Sequence, residues 1–166
     1  MHVLLAAALF AAVLLKADWR NWQEYHTTML YIGLCNLLYN LLCQDYLLWK
    51  YKADFLLNHR LTDILYTAII LPFIVLLYLS NYPKNDKKKA GFYIMKWVIA
   101  SILIESIYLI SHNLELKHGY KFWMEFFFYP CMYIMLKIHH SRPLPAYALS
   151  VAIILFMLRY FDVPLK

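Results

Sequence analysis

The chain has 166 residues, of which 63% are hydrophobic, 18% aromatic and only 16% charged. A soluble domain of this length is near half apolar and a quarter charged, so composition excludes a water-soluble core and predicts an all-α, polytopic transmembrane helix bundle. The formal charge of +6 comes with no nucleic-acid-binding motif and matches the usual excess of Lys and Arg on cytoplasmic loops, so the expected partner is the lipid bilayer and not nucleic acid.

Six apolar runs predict about six helices in a single domain over residues 1–166. The first, VLLAAALFAAVLL, has no basic stretch before it and no A-x-A pattern after it, so it reads as a retained helix over about 2–17, with a signal peptide as the lesser alternative. Its Ala8 and Ala12 have small-xxx-small spacing, which permits close contact within the bundle, with a membrane-protein partner or with a second copy. The second helix, 26–49, carries Gly33, Asn36, Asn40 and Gln44 as a polar stripe. The third, 61–80, starts with Asp63, Tyr66 and Thr67 on one face and contains Pro72.

The fourth helix, 92–111, places Ser101, Glu105, Tyr108 and His112 on one face. The fifth, 122–138, repeats Glu125, Tyr129, Tyr133 and Lys137 at i+4 around Pro130, and the sixth, 144–161, has Arg159 near its end. Pro72 and Pro130 should kink their helices and release carbonyls that neighbours must satisfy. The connections are short. The most hydrophilic, NYPKNDKKKAG, is placed in the cytoplasm, which puts the amino terminus, segments 50–60 and 112–121 and the carboxyl end outside. The Lys and Arg count behind that orientation is eight inside against seven outside.

His139 and His140, beside Lys137 and Arg142, read as a cationic loop touching lipid headgroups. Cys35, Cys43 and Cys131 lie within apolar runs, with neither disulfide nor metal-ligand spacing, and read as packing residues. No cofactor is indicated. HExxH, GxSxG and P-loop motifs are absent, no catalytic residue is assigned, and the reading leans away from an enzyme.

An ionised carboxylate at the bilayer centre costs roughly 2.5–3.5 kcal/mol, so Glu105, about two turns inside its run, must face the bundle interior. In the adopted orientation Asp45, Asp63, Glu105, His112, Glu125 and Arg159 share the outer half of their helices and suggest one polar chamber. Glu105, Tyr108, His112, Asn36, Asn40, Asp63, Glu125 and Arg159 are the candidate ligand-binding residues. Each has a plainer reading beside it. Asn36, Asn40, Gln44 and Ser101 suit interhelical hydrogen bonding. Asp45, Asp63 and Glu125 suit interfacial solvation, and Glu105 a structural pair with Arg159, His112 or a tyrosine.

The stretches DWRNWQEYHTTMLYIGLCNLLYNLL and LLNHRLTDILYTAIILPFIVLLYL, with His139-His140 and Pro143, resemble a family of small polytopic membrane proteins of Bacillus- and Clostridium-type spore-forming bacteria. The resemblance implies a multi-pass protein of a bacterial plasma membrane and no particular activity. Size, six helices and an Ala-rich first helix also resemble, loosely, the substrate-binding subunits of energy-coupling-factor vitamin transporters. The leading expectation is therefore a small-solute-binding or transport-associated subunit with a polar intramembrane chamber. The alternatives are a non-catalytic scaffold or complex subunit, and an ion or proton pathway through Glu105 and His112.

Overall fold

A computed structural model describes residues 1–52, 59–83 and 86–164. Residues 56–58 of the LLNHRLTD stretch, Lys84 of the lysine cluster and Lys166 lie outside the described residues. The chain is all-α: α1 is His2–Lys16, α2 is Gln23–Leu42, α4 is Lys87–Ile110, α5 is Glu125–Ser141 and α6 is Pro143–Tyr160. The third helix, α3, is continuous through His59–Leu65, a π-helical turn at Tyr66–Ile70, and Leu71–Ser80. That turn sits immediately ahead of Pro72. A proline cannot donate to the carbonyl four residues back, and the widened turn is one way a helix accommodates the lost bond.

The helix boundaries differ from the hydropathy reading in two places that matter. α4 begins at Lys87, not at 92, because the Asp86 carboxylate caps it, accepting from the backbone N–H of Lys88 at 2.9 Å and of Lys89 at 3.1 Å. The lysine cluster is thus its first turn. α2 ends at Leu42, not at 49. The Tyr39 ring stacks on Trp49 with centroids 4.0 Å apart, and its hydroxyl accepts from the Trp49 N–H at 2.9 Å and donates to the Trp49 carbonyl at 3.0 Å. The chain doubles back there, and Trp49–Tyr51 forms a strand, β1, paired antiparallel with β2, Leu114–Leu116.

The helices alternate in direction. One end of the bundle gathers the amino terminus, β1, β2 and the carboxyl end: His2 reaches the Lys52 carbonyl, and Tyr120 meets Phe161 at 5.6 Å. At the other end the Asn81 side chain donates to the Lys16 carbonyl at 2.9 Å, and the Lys137 ammonium lies 4.9 Å from the Tyr82 ring centre. α3 packs against α1 and α2, and α5 against α2, α4 and α6. At the α2–α3 crossing a Cβ on Gly33 would lie 3.3 Å from the Thr67 carbonyl oxygen, so glycine sets that separation. Tyr78 is fully buried and ties three helices together, donating to the Tyr133 carbonyl at 3.1 Å while its own carbonyl accepts from Tyr93 at 2.9 Å.

Arg60–Ser80, Lys87–Ile110 and Pro143–Tyr160 are long and apolar enough to cross a membrane, and α1 is a shorter apolar helix. Only 6% of the α6 apolar window is buried. Leu4, Leu15, Phe92, Ile110, Phe127 and Leu144 point outward, while much of the interior is tyrosine, histidine and glutamate.

Candidate functional site

The polar stripes of α4 and α5 run in opposite directions and meet rung by rung. Ser101 Oγ and Tyr133 Oη lie 2.7 Å apart, and one turn on Tyr129 donates to Glu105 Oε2 at 2.6 Å. At the next level the Glu105 and Glu125 carboxyl groups stand within hydrogen-bonding reach of each other. Neither carboxylate can donate, so that contact needs a proton between them. Glu105 is 7% exposed and Glu125 only 4%.

Glu125 corrects the interfacial expectation. It is the first residue of α5, but the segment leading into the helix folds over it, so it is desolvated. The Tyr120 hydroxyl, also buried, stands alongside the Glu125 carboxyl and makes no well-formed hydrogen bond there or elsewhere among the described residues. Burial, and then the neighbouring Glu125 charge, push the Tyr120 hydroxyl above its ordinary range, so it stays a donor.

A second set of rings adjoins the pair. His2 is fully buried and packs against Tyr51, Tyr66 and Tyr108 with ring centres 5.7, 5.7 and 5.2 Å away. Its Nε2 lies 3.1 Å from the Lys52 carbonyl, which only accepts, so Nε2 carries the hydrogen and donates. For a neutral ring, Nδ1 then accepts from the Tyr66 hydroxyl at 3.2 Å. The Tyr66 hydroxyl is in turn grouped with those of Tyr51 and Tyr108. Sequence reasoning passed over His2, Tyr51 and Tyr120. The first precedes an apolar run without interrupting it, and the other two lie in connections whose fold no helical period describes.

Glu105, Glu125, Tyr51, Tyr66 and Tyr108 line one end of a cavity of about 340 Å³ that runs between the helices, with Leu9 of α1 and Ile74 of α3 also in its wall. Leu48, Trp49, Tyr51 and Leu114 roof it, so the β1–β2 ribbon is its cap. Away from the carboxyl pair the lining is chiefly apolar, from Ile32, Ile74, Trp97, Met132, Leu136 and Ile154. The polar groups along it have partners: Tyr31 Oη meets Ser150 Oγ at 2.6 Å, and Asn36 donates to Thr67 Oγ1 at 2.8 Å. Among the described residues no Lys, Arg or His lines the cavity, and no group of three or more His, Cys, Asp or Glu is placed to hold a metal ion.

Of the residues the sequence nominates, Glu105, Tyr108, Glu125 and Asn36 line this cavity. Asn40 and Asp63, with Asn36 and Tyr39, line a much smaller polar recess beside it. His112 and Arg159 are not part of it. His112 follows the end of α4 with φ 56° and is exposed, and Arg159 is exposed on α6, as Asp45 is in the turn after α2. The single six-group chamber is therefore a carboxyl pair with an adjoining recess, and Glu105 pairs with Tyr129 and Glu125 instead of Arg159 or His112.

His139 also departs from expectation. It lies within α5, 2% exposed, stacked 4.1 Å from the Tyr31 ring, with Nδ1 3.0 Å from Thr28 Oγ1. It is an interior residue, whereas its neighbour His140 stacks on Tyr25 at 5.6 Å. Ala8 faces outward and Ala12 is half-buried, so the alanine stripe is only partly used within the bundle.

Comparison with protein-family models, with curated proteins and with solved structures finds no match for this chain.

Proposed function

We propose that the chain is a multi-pass integral membrane protein of a bacterial plasma membrane that binds a small solute between its helices, as a solute-binding or transport-associated subunit. The outward-facing apolar side chains support the membrane placement, because a surface of that kind is stable against lipid and not against water. One observation carries the binding reading: two buried carboxyls from separate helices converge on one end of a chiefly apolar cavity. Burying ionisable groups is costly unless they are paired or neutralised, and within membrane segments such groups mark functional sites. The volume is at the small end of the ordinary range for ligand sites, about 300–1,000 Å³.

Native mass spectrometry on the full chain released from its membrane tests this reading. A bound species of defined mass, lost when Ile154→Trp fills the cavity, is the expected result. Identical unliganded spectra for both proteins would count against it.

A specific observation also favours a second reading, a proton path. The His2, Tyr66, Tyr51 and Tyr108 groups extend from the Lys52 backbone toward Glu105. Proton flux into liposomes that is abolished by Glu105→Gln and by Tyr66→Phe would support it, and flux indifferent to both would remove it.

A further inference from the structure

The cavity has a charge requirement that its own residues do not meet. Glu105 receives a hydrogen bond from Tyr129, and Glu125 faces Glu105 and the Tyr120 hydroxyl, so among the described residues no cation meets either carboxyl. With one proton held between them the two carboxyls would retain one net negative charge, and among the described residues the lining supplies no cation. The rest of the polar lining is occupied: Ser101 with Tyr133, Tyr31 with Ser150, Asn36 with Thr67, and Tyr39 with the Trp49 backbone. Unfilled hydrogen-bonding capacity is therefore concentrated at the carboxyl end, and the remaining length of the cavity presents side chains suited to hydrocarbon.

We infer that the ligand is an amphipathic monoamine, its ammonium group held between Glu105 and Glu125 and its apolar body lying along the cavity. This rests on the solute-binding reading above and adds the ligand's chemical class. An ammonium supplies three donors to a site rich in acceptors and cancels its single net charge. Tyr51, Tyr108, Phe128 and Tyr129 line the same end, and aromatic ring faces attract a desolvated cation. An anion would add a like charge to a buried acid pair, and a neutral alcohol would leave the pair's charge uncompensated. A diamine would carry its second charge into the apolar length of the cavity, where nothing pairs with it.

The experiment uses the full chain in lipid nanodiscs and three probes of one shape: phenylbutylamine, phenylbutanol and phenylbutyrate. The thermal unfolding midpoint should rise with the amine and stay unchanged with the alcohol and the carboxylate. In Glu105→Gln/Glu125→Gln, which removes the pair's net charge and whose folding is checked by its own unliganded midpoint, amine affinity should fall at least about tenfold. Equal stabilisation by alcohol and amine would overturn the amine inference while leaving a solute-binding cavity in place. Preference for the carboxylate would overturn it too. No response to any of the three would also overturn it, and an absence of bound species in native spectra would then remove the solute-binding reading itself. The comparison among the three probes on the unmodified chain does not depend on any variant folding.

Discussion

The Tyr129 hydroxyl donates to Glu105 Oε2 at 2.6 Å across the α4–α5 interface, within the range of a charge-assisted O–H···O bond. It is the Glu105 side chain's one well-formed hydrogen bond among the described residues, and it fixes the register in which the two polar stripes face each other. Tyr129→Phe should therefore lower stability by about 1.5–3 kcal/mol, measured by thermal or denaturant unfolding in detergent. An unchanged unfolding midpoint would mean that the bond contributes no net stability.

The carboxyl pair should respond to substitution in opposite senses. Glu125→Gln places an amide donor beside Glu105 without the shared proton the carboxyl pair needs, so the unliganded protein should gain on the order of 1 kcal/mol. Glu105→Ala leaves the Tyr129 hydroxyl buried without its acceptor and should cost about 1–3 kcal/mol. Unfolding midpoints of the two variants, measured side by side, check the signs. A loss in Glu125→Gln would mean that Glu125 has a stabilising role the carboxyl pair does not explain.

Thr28 and His139 form a second buried contact, 3.0 Å long, between α2 and α5. Thr28→Val should cost about 1 kcal/mol when His139 is present and close to nothing in a His139→Phe background. The double-mutant cycle gives the coupling directly, and additive effects would show that the two groups do not stabilise each other.

On the capping ribbon, Glu115 sits between Lys52 at 2.8 Å and Lys117 at 2.9 Å. Hydrogen bonds from Lys117 and then Lys52 hold its pKa down to about 2. Because the folded-state value lies below the unfolded one, the pair's contribution is fully present above the ordinary value of 4.5 and is lost as the pH falls toward 2. The Glu115 carboxyl carbon, followed by NMR, should titrate near the lower value and move upward in Lys117→Ala. A midpoint near 4.5 in the unmodified protein would show that the ion pairs do not persist in solution.

Much of this was legible in the sequence. Hydropathy runs gave six helices, and period 3.6 gave both the Ser101–Glu105–Tyr108 stripe and the Glu125–Tyr129–Tyr133 stripe. Their pairing was not legible, because a helical period says which residues share a face and not which face of which neighbour they meet. Glu125 looked interfacial because it stands at a run's edge, and its burial depends on a loop fold that carries no periodic signal. The end of α2 was misplaced for a related reason. Leu47, Leu48 and Trp49 are as compatible with a lipid-facing helix as with a short aromatic strand, and the Tyr39–Trp49 stack that decides between them follows from the folded chain. His139 was read from its charged neighbours, whereas its position on α5 turns it inward against Tyr31.

The most direct test of the central claim is an experimental density map of the full chain purified from its native membrane. The account predicts non-protein density in the cavity between the helices, continuous with the carboxyl groups of both Glu105 and Glu125. A cavity closed by its own side chains, with Glu105 or Glu125 paired to a protein cation such as Arg159, would contradict it.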